Sequence, residues 1–206
     1  ITTDQFLPVV ELKTSSRLRL QPSRIWGRFG STQNNLPKWK KWLTAVSTES
    51  YVAIDEKTQE DDVWSIYMLD LSRFRQTNTT IFGNMHFRQD VHLFENSRDF
   101  SVRLRHYSRD EKNNQYLEGG QDRIENENSA RITARISSKL SSQSEFTNKR
   151  TSRLFFESNR QDRDIYADEI KVHLSYRPKS PLEIALESRF SLEEDRFYDE
   201  PTQVKA

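Results

Sequence analysis

Between Thr80 and Leu93 the chain keeps a two-residue beat. The odd positions read Ile81, Gly83, Met85, Phe87, Gln89, Val91 and Leu93; the even ones read Phe82, Asn84, His86, Arg88, Asp90 and His92. Side chains alternate across a strand, so this run has an apolar face and a polar face. Similar beats return near residues 100–107, 130–140, 168–176 and 182–193. A chain built of such runs folds into long antiparallel strands with one oily side. The predicted class is therefore all-β.

Composition sharpens that reading. Apolar residues make up 33% of the 206 positions, and the mean hydropathy is −0.90. Such values suit disorder, which has no reason to alternate. Low hydrophobicity with strong alternation fits a sheet that encloses polar residues. Net charge is +1, with 32 basic against 31 acidic residues, so the basic excess of a nucleic-acid binder is missing. Cysteine is absent, which excludes disulfides, thiol catalysis and cysteine-based metal sites. No run approaches a membrane-spanning helix. No signal peptide is visible and the first residue is Ile1, so the chain reads as an excerpt of a longer protein.

One β-rich segment spans 1–206. Residues 1–35 read as irregular or short strands, broken at Pro8 and Pro22, with Arg24–Gly30 as one candidate strand. Residues 36–46 read as one short N-terminal α-helix, because Trp39, Trp42, Leu43 and Val46 recur at helical spacing. It is either a connector packed on the sheet or an interfacial helix with tryptophan and lysine at a headgroup layer. Antiparallel strands fill 46–206, including one from Trp64 to about Leu71. Polar stretches at Ser108–Asn128 and Asn159–Ile165 read as loops. Asn148–Arg150 reads as a turn, as do 95–99 and 177–181. Connections thus alternate short and long. Residues 182–193 also match a helix, but only alternation accounts for both Ile184 and Leu192. No proline falls between Pro37 and Pro178, as central ladders require.

Two architectures accept one-sided strands. A soluble sandwich seals the apolar faces together; a membrane barrel turns them outward to lipid. Fourteen residues at roughly 3.3 Å each span about 46 Å, beyond the ~17–20 Å of globular strands. Short turns at one rim and longer loops at the other are the outer-membrane pattern. The expectation is an antiparallel meander forming a partial outer-membrane β-barrel. Arg103, Arg105, Arg131, Arg135, Glu183 and Glu187 are expected to face the lumen. Phe87, Val102, Leu104, Ile132, Ile136, Val172, Leu174, Ile184 and Leu186 are expected to face lipid.

Catalytic and ligand signatures are sparse. His86 and His92 share a strand face about 20 Å apart, too far to hold one metal. Asp55, Glu56, Glu60, Asp61 and Asp62 form an acidic turn whose spacing matches no calcium loop. No nucleophile elbow, zinc motif or phosphate-cradling loop occurs. The chain therefore reads as a non-enzyme without cofactor or metal. Its expected partners are outer-membrane lipid and the remaining strands of the same chain, with no nucleic acid. The alternative is a soluble extracytoplasmic β-sheet domain that binds protein or glycan through its long loops. An outer-membrane hydrolase using a histidine with Asp90 or a serine comes third. Aromatics near the proposed strand ends (Trp26, Trp64, Tyr67, Tyr107, Tyr116, Tyr166, Tyr176, Phe197, Tyr198) suit either an interfacial girdle or ordinary hairpin packing.

Several stretches carry a resemblance. They are Phe87–Phe94 through Phe100–Arg105, Arg160–Tyr166, Leu174-Ser175-Tyr176-Arg177-Pro178 and Glu194-Asp195-Arg196-Phe197-Tyr198. Over roughly residues 24–206 the chain resembles the barrel regions near the C-termini of large, uncharacterised Gram-negative outer-membrane proteins. That resemblance implies an outer-membrane location and further strands beyond residue 206. It supplies no functional residues.

Overall fold

The computed structural model describes residues 9–27, 43–59, 80–114, 120–156, 161–179, 181–197 and 203–205. Among them nine strands and one helix follow in chain order. They are β1 (Val10–Leu20), α1 (Pro22–Gly27), β2 (Val46–Thr58), β3 (Thr80–Leu93), β4 (Phe100–Asn113), β5 (Gln121–Arg135), β6 (Leu140–Phe155), β7 (Arg163–Lys179), β8 (Leu182–Asp195) and β9 (Gln203–Lys205). The strands form one sheet in sequence order, each antiparallel to its chain neighbours. Among the described residues the meander is open: β1 pairs only with β2, and β9 only with β8. The expected all-β antiparallel meander is the observed fold, and its unclosed sheet is that of a partial barrel.

Strands are longer than their apolar beats. Ser108–Asn128, expected as a loop, is mostly ladder: β4 continues to Asn113 and β5 begins at Gln121. The expected turn at Asn148–Arg150 is the middle of β6, whose Asn148 pairs with Asn128 and Asp168. The turn sits instead at Ile136–Lys139. The physical reason is common to both corrections. Hydrogen-bonded pairing continues where the side chains on both faces are polar, and hydrophobic alternation is blind there. As a result the connections from β3 to β8 span 94–99, 136–139 and 180–181 at one rim, against 114–120 and 156–162 at the other. The expected length difference keeps its direction and loses most of its size. The 21–45 connection is an exception, being long and on the short-turn rim.

Near the N-terminus, Val10–Leu20 is one strand, not two. Part of the candidate strand at 24–30 is helix α1, opened by Pro22, whose fixed φ suits a first helical position. The rest of it lies outside the described residues. So does most of the helix expected at 36–46; Leu43 and Thr44 are helical and Val46 opens β2. The strand expected from Trp64 also lies outside the described residues. Asp55 and Glu56 belong to β2 and not to a turn. Residues 182–193 are strand, as alternation required.

Two turns at the short-turn rim use the same serine device. The Ser97 hydroxyl accepts from the N–H groups of Asp99 (3.4 Å) and Phe100 (3.3 Å). The Ser137 hydroxyl accepts from Lys139 (3.2 Å) and Leu140 (3.1 Å). Each hydroxyl satisfies donors that the turn would otherwise leave open. Pro178 lies in the ladder irregularity between Tyr176 and Lys179, where a missing N–H is tolerated.

At the opposite rim Gly120 closes the β4–β5 hairpin, its carbonyl accepting from Phe156 N–H at 3.0 Å. A Cβ there would overlap the Asn114 side chain and lie 2.7 Å from Phe156 Cδ2 and 3.1 Å from the Asn113 carbonyl oxygen. Gly120→Ala should therefore destabilise the fold by about 1–3 kcal/mol, the usual range for overpacking. A thermal midpoint equal to that of the parent would show that this hairpin has slack.

Candidate functional site

The candidate site is the sheet's pair of faces, and it follows from register. From β3 to β8 directly opposed residues share a face, so one row can be followed across six strands. One row reads Leu93, Val102, Ile132, Ser144, Val172 and Ser188. The next reads Val91, Leu104, Ala130, Phe146, Ile170 and Phe190. A third, from β4 to β8, reads Phe100, Ala134, Ser142, Leu174 and Leu186. These three rows contain no ionisable group. Several of their large side chains are open: Leu186 is 62% exposed, Phe146 46% and Ile132 45%. Val102, Leu104, Ile132, Val172, Leu174 and Leu186 lie in these rows, Ile184 lies in the next row with Leu140 and Tyr176, and Ile136 follows just past β5; Phe87 shares the face but stands two rows beyond the band, opposite Ser108.

The band has a sharp edge. One row further along, the same face carries Gln89, His106, Asn128, Asn148 and Asp168. His106 Nδ1 and Asn128 Oδ1 lie 2.8 Å apart, and Asn148 donates to Asp168 at 2.7 Å. Beyond it Ser108 donates to Asn126 at 2.8 Å, while Arg150 grips Asp164 through two bonds of 3.0 Å and stacks over Tyr166. Past this polar row the same face is mixed: Phe87, Met85, Ile124 and Leu154 stand among Ser108, Asp110, Asn126, Arg150 and Ser152.

The opposite face is ionic. Arg103, Arg105, Arg131, Arg135, Glu183 and Glu187 all lie on it by register. Its centre is Asp90, 3% exposed. Arg105 donates to it at 2.7 Å and 3.2 Å, Arg103 at 3.2 Å, and Arg88 stands 3.5 Å away. Arg131 forks onto Glu145 at 3.0 and 2.8 Å. Glu169 is shared by Lys171 (2.5 Å) and Arg189 (2.6 Å). Glu183 accepts from Ser175 at 2.6 Å and meets Arg177 at 2.8 Å. Asp90, once a candidate partner for a catalytic histidine, is thus held by three guanidinium groups. His86 stands between the rings of Tyr51 and Tyr107, with centroids 5.4 and 4.9 Å away. Among the described residues no group of three metal-ligating side chains occurs.

A cavity of about 170 Å³ lies at the short-turn rim, between the end of β1, the start of β2 and the 94–97 turn. Glu95 anchors it, accepting from Ser47 at 2.5 Å and Arg19 at 2.9 Å. The Ser47 hydrogen bond, helped by Arg19, holds this carboxyl below its ordinary range. Phe94 beside it has φ 58°, a strained value for a side chain of this size.

The sequence could not reveal which residues oppose one another. The polar row and the arginines at 123, 153 and 163 were missed because they fall in or beside stretches that read as loops and turns.

No family model matches the chain, and no curated protein matches it. Among solved structures it is similar to the crystal structure of the Ralstonia pickettii toluene transporter TbuX, at 9% identity and a TM-score of 0.28. The match covers 77% of this chain and 52% of that one, so the chain spans about half the transporter's length. A likeness this loose says nothing of cargo.

Two predictions follow from the ionic face and its rim. Asp90→Asn should cost about 3 kcal/mol, because it leaves clustered guanidinium groups without their anion. Arg177→Gln, at a pair whose arginine is 69% exposed, should cost under about 1 kcal/mol. Equal losses in chemical denaturation would show that burial does not grade these pairs. Because the folded Glu95 carboxyl is lowered, its contribution is present above the ordinary carboxylate range and is lost as pH falls through the lowered folded value. Glu95→Gln should flatten that acid limb of the stability profile; an unchanged limb would remove Glu95 from it.

Proposed function

We propose that the chain is a wall segment of an outer-membrane β-barrel with a structural or transport-related role. In this reading the apolar band meets hydrocarbon and the ionic face lines an aqueous interior. Outer-membrane lipid and further strands of the same chain are its partners, the latter continuing the sheet from its open edges.

One observation carries the reading. Three consecutive rows of an exposed sheet face exclude every charge, while the reverse face of the same strands is a lattice of ion pairs. A soluble protein rarely leaves so large an apolar patch uncovered. Lipid removes that cost, and it also forbids charge, since each Arg or Lys at the midplane costs about 2–4 kcal/mol. On β8 the band runs from Ile184 to Phe190, about 20 Å along the strand at roughly 3.3 Å per residue. A tilt near 40° would reduce that to about 15 Å, which fits inside the ~25 Å apolar band of such barrels. The polar row at Gln89–Asp168 then marks the edge of the hydrocarbon. The mixed strand ends beyond it project past the hydrocarbon, with Phe87 just outside its edge.

The test is a pair of adjacent substitutions on β5. Ile132→Arg should sharply reduce folding into phospholipid vesicles, whereas Thr133→Arg, on the ionic face, should fold like the parent. Equal folding of the two would refute the assignment of faces. A parent protein that is monodisperse in water without detergent would favour instead a soluble domain whose apolar face is covered by protein.

A further inference from the structure

On the ionic face nearly every strand cation has an acid. Arg103 and Arg131 are directly opposed, yet the first turns to Asp90 and the second to Glu145. A second arginine row breaks this rule. Arg123 pairs with Arg153, and Arg153 pairs with Arg163, across β5, β6 and β7. Directly opposed side chains have Cβ atoms about 4.5–5.5 Å apart, and like charges there repel. Arg123 is relieved by Glu125 at 3.1 Å, which also takes Lys149. Among the described residues, Arg153 and Arg163 have neither an ion pair nor a side-chain hydrogen bond.

The nearby acids among the described residues are engaged elsewhere. Asp162 accepts from the Phe155 N–H at 2.7 Å. Asp195 accepts from the backbone N–H groups of Asp164 (3.3 Å) and Phe197 (3.1 Å). Glu193, at the far side, has interactions of its own. The arginines instead line a cavity of about 390 Å³, with Arg123, Lys149, Thr151 and Glu193 around it. That volume lies within the range of small-ligand sites. It exceeds what an inorganic anion fills, and the side chains of Ile165 and Ala167 offer an apolar flank for a carbon body.

We propose that the cavity between Arg123, Arg153 and Arg163 is a binding site for a small solute carrying an oxyanion, of the phosphate monoester class. Two guanidinium groups without partners among the described residues supply planar forks that match phosphate oxygens. Thr151 adds a hydroxyl, and Lys149, paired with Glu125, stands at the margin. The anion would replace the missing acid, which explains why the fold tolerates the repulsion. The site depends only on the ionic face, so it stands whichever medium wets the other side of the sheet.

The experiment is calorimetric titration of the full chain with inorganic phosphate, in a phosphate-free buffer and a neutral sugar detergent. The parent should show one saturable site. Arg153→Gln and Arg163→Gln should each weaken it at least about tenfold, the range of a lost charge-assisted contact. Arg135→Gln, which alters another arginine that has no acid partner among the described residues, at the opposite rim, should bind like the parent. Arg153→Lys keeps the charge and loses the fork, so it should weaken binding by a smaller factor; it also provides the readout if a glutamine variant fails to fold. Without phosphate, Arg153→Gln should melt no lower than the parent, because it removes repulsion. No saturable binding by the parent, or equal affinity in all variants, would overturn the site. Micelles doped with phosphatidic acid distinguish the source. Failure to displace phosphate supports a free solute, and displacement would overturn that assignment in favour of a lipid headgroup.

Discussion

The structure depends on register. Each strand from β3 to β8 pairs with the next without a slip over the length that carries the apolar band. Because side chains alternate with period two, a shift of one residue would exchange the faces of a whole strand. It would put Arg103 or Arg131 among the leucines, and Leu104 or Ile132 among the ion pairs. The segregation of oil and charge is therefore a property of the backbone ladder as much as of the sequence.

The ionic face shows what segregation demands in return. Among the described residues no second layer covers the polar side of the sheet, and its charges satisfy one another. Asp90 does this most completely, being almost fully buried beneath three arginines. Buried charges are costly unless paired and hydrogen-bonded, and this carboxylate has both kinds of compensation. At the sheet's edges the same pairing is looser and more exposed, as at Arg177 and Glu183, and contributes correspondingly less. The charge lattice is thus graded from centre to margin, with Arg153 and Arg163 as a gap in it.

The sequence made legible whatever depends on period two. The existence of β3, β4, β7 and β8, the antiparallel class and the face of each apolar residue in those strands could be read from the beat at 80–93 and its echoes, whereas β6 carries no such beat. The strand extensions could not, because Ser108–Asn113 and Asn148–Arg150 are polar on both sides. Their pairing is held by backbone hydrogen bonds, which leave no mark on hydropathy. The polar residues of 108–128 were thus mistaken for a loop, and the Ile136–Lys139 turn was displaced to 148–150. Of the candidate site, the faces of individual residues were legible. The rows were not, since Arg123, Arg153 and Arg163 come together only once two hairpins are in register.

The order of the strands has a consequence for how such a sheet can be assembled and altered. Every strand finds its partner next to it in the chain, so pairing closes only short loops for most hairpins, at small entropic cost. The sheet can therefore lengthen by successive hairpins, each templated by the free edge of the last. Inserting or deleting a whole hairpin would keep both rims and both faces in place. A single added strand would invert the direction of everything after it and move the short turns to the other side. The natural module of variation in this architecture is a strand pair.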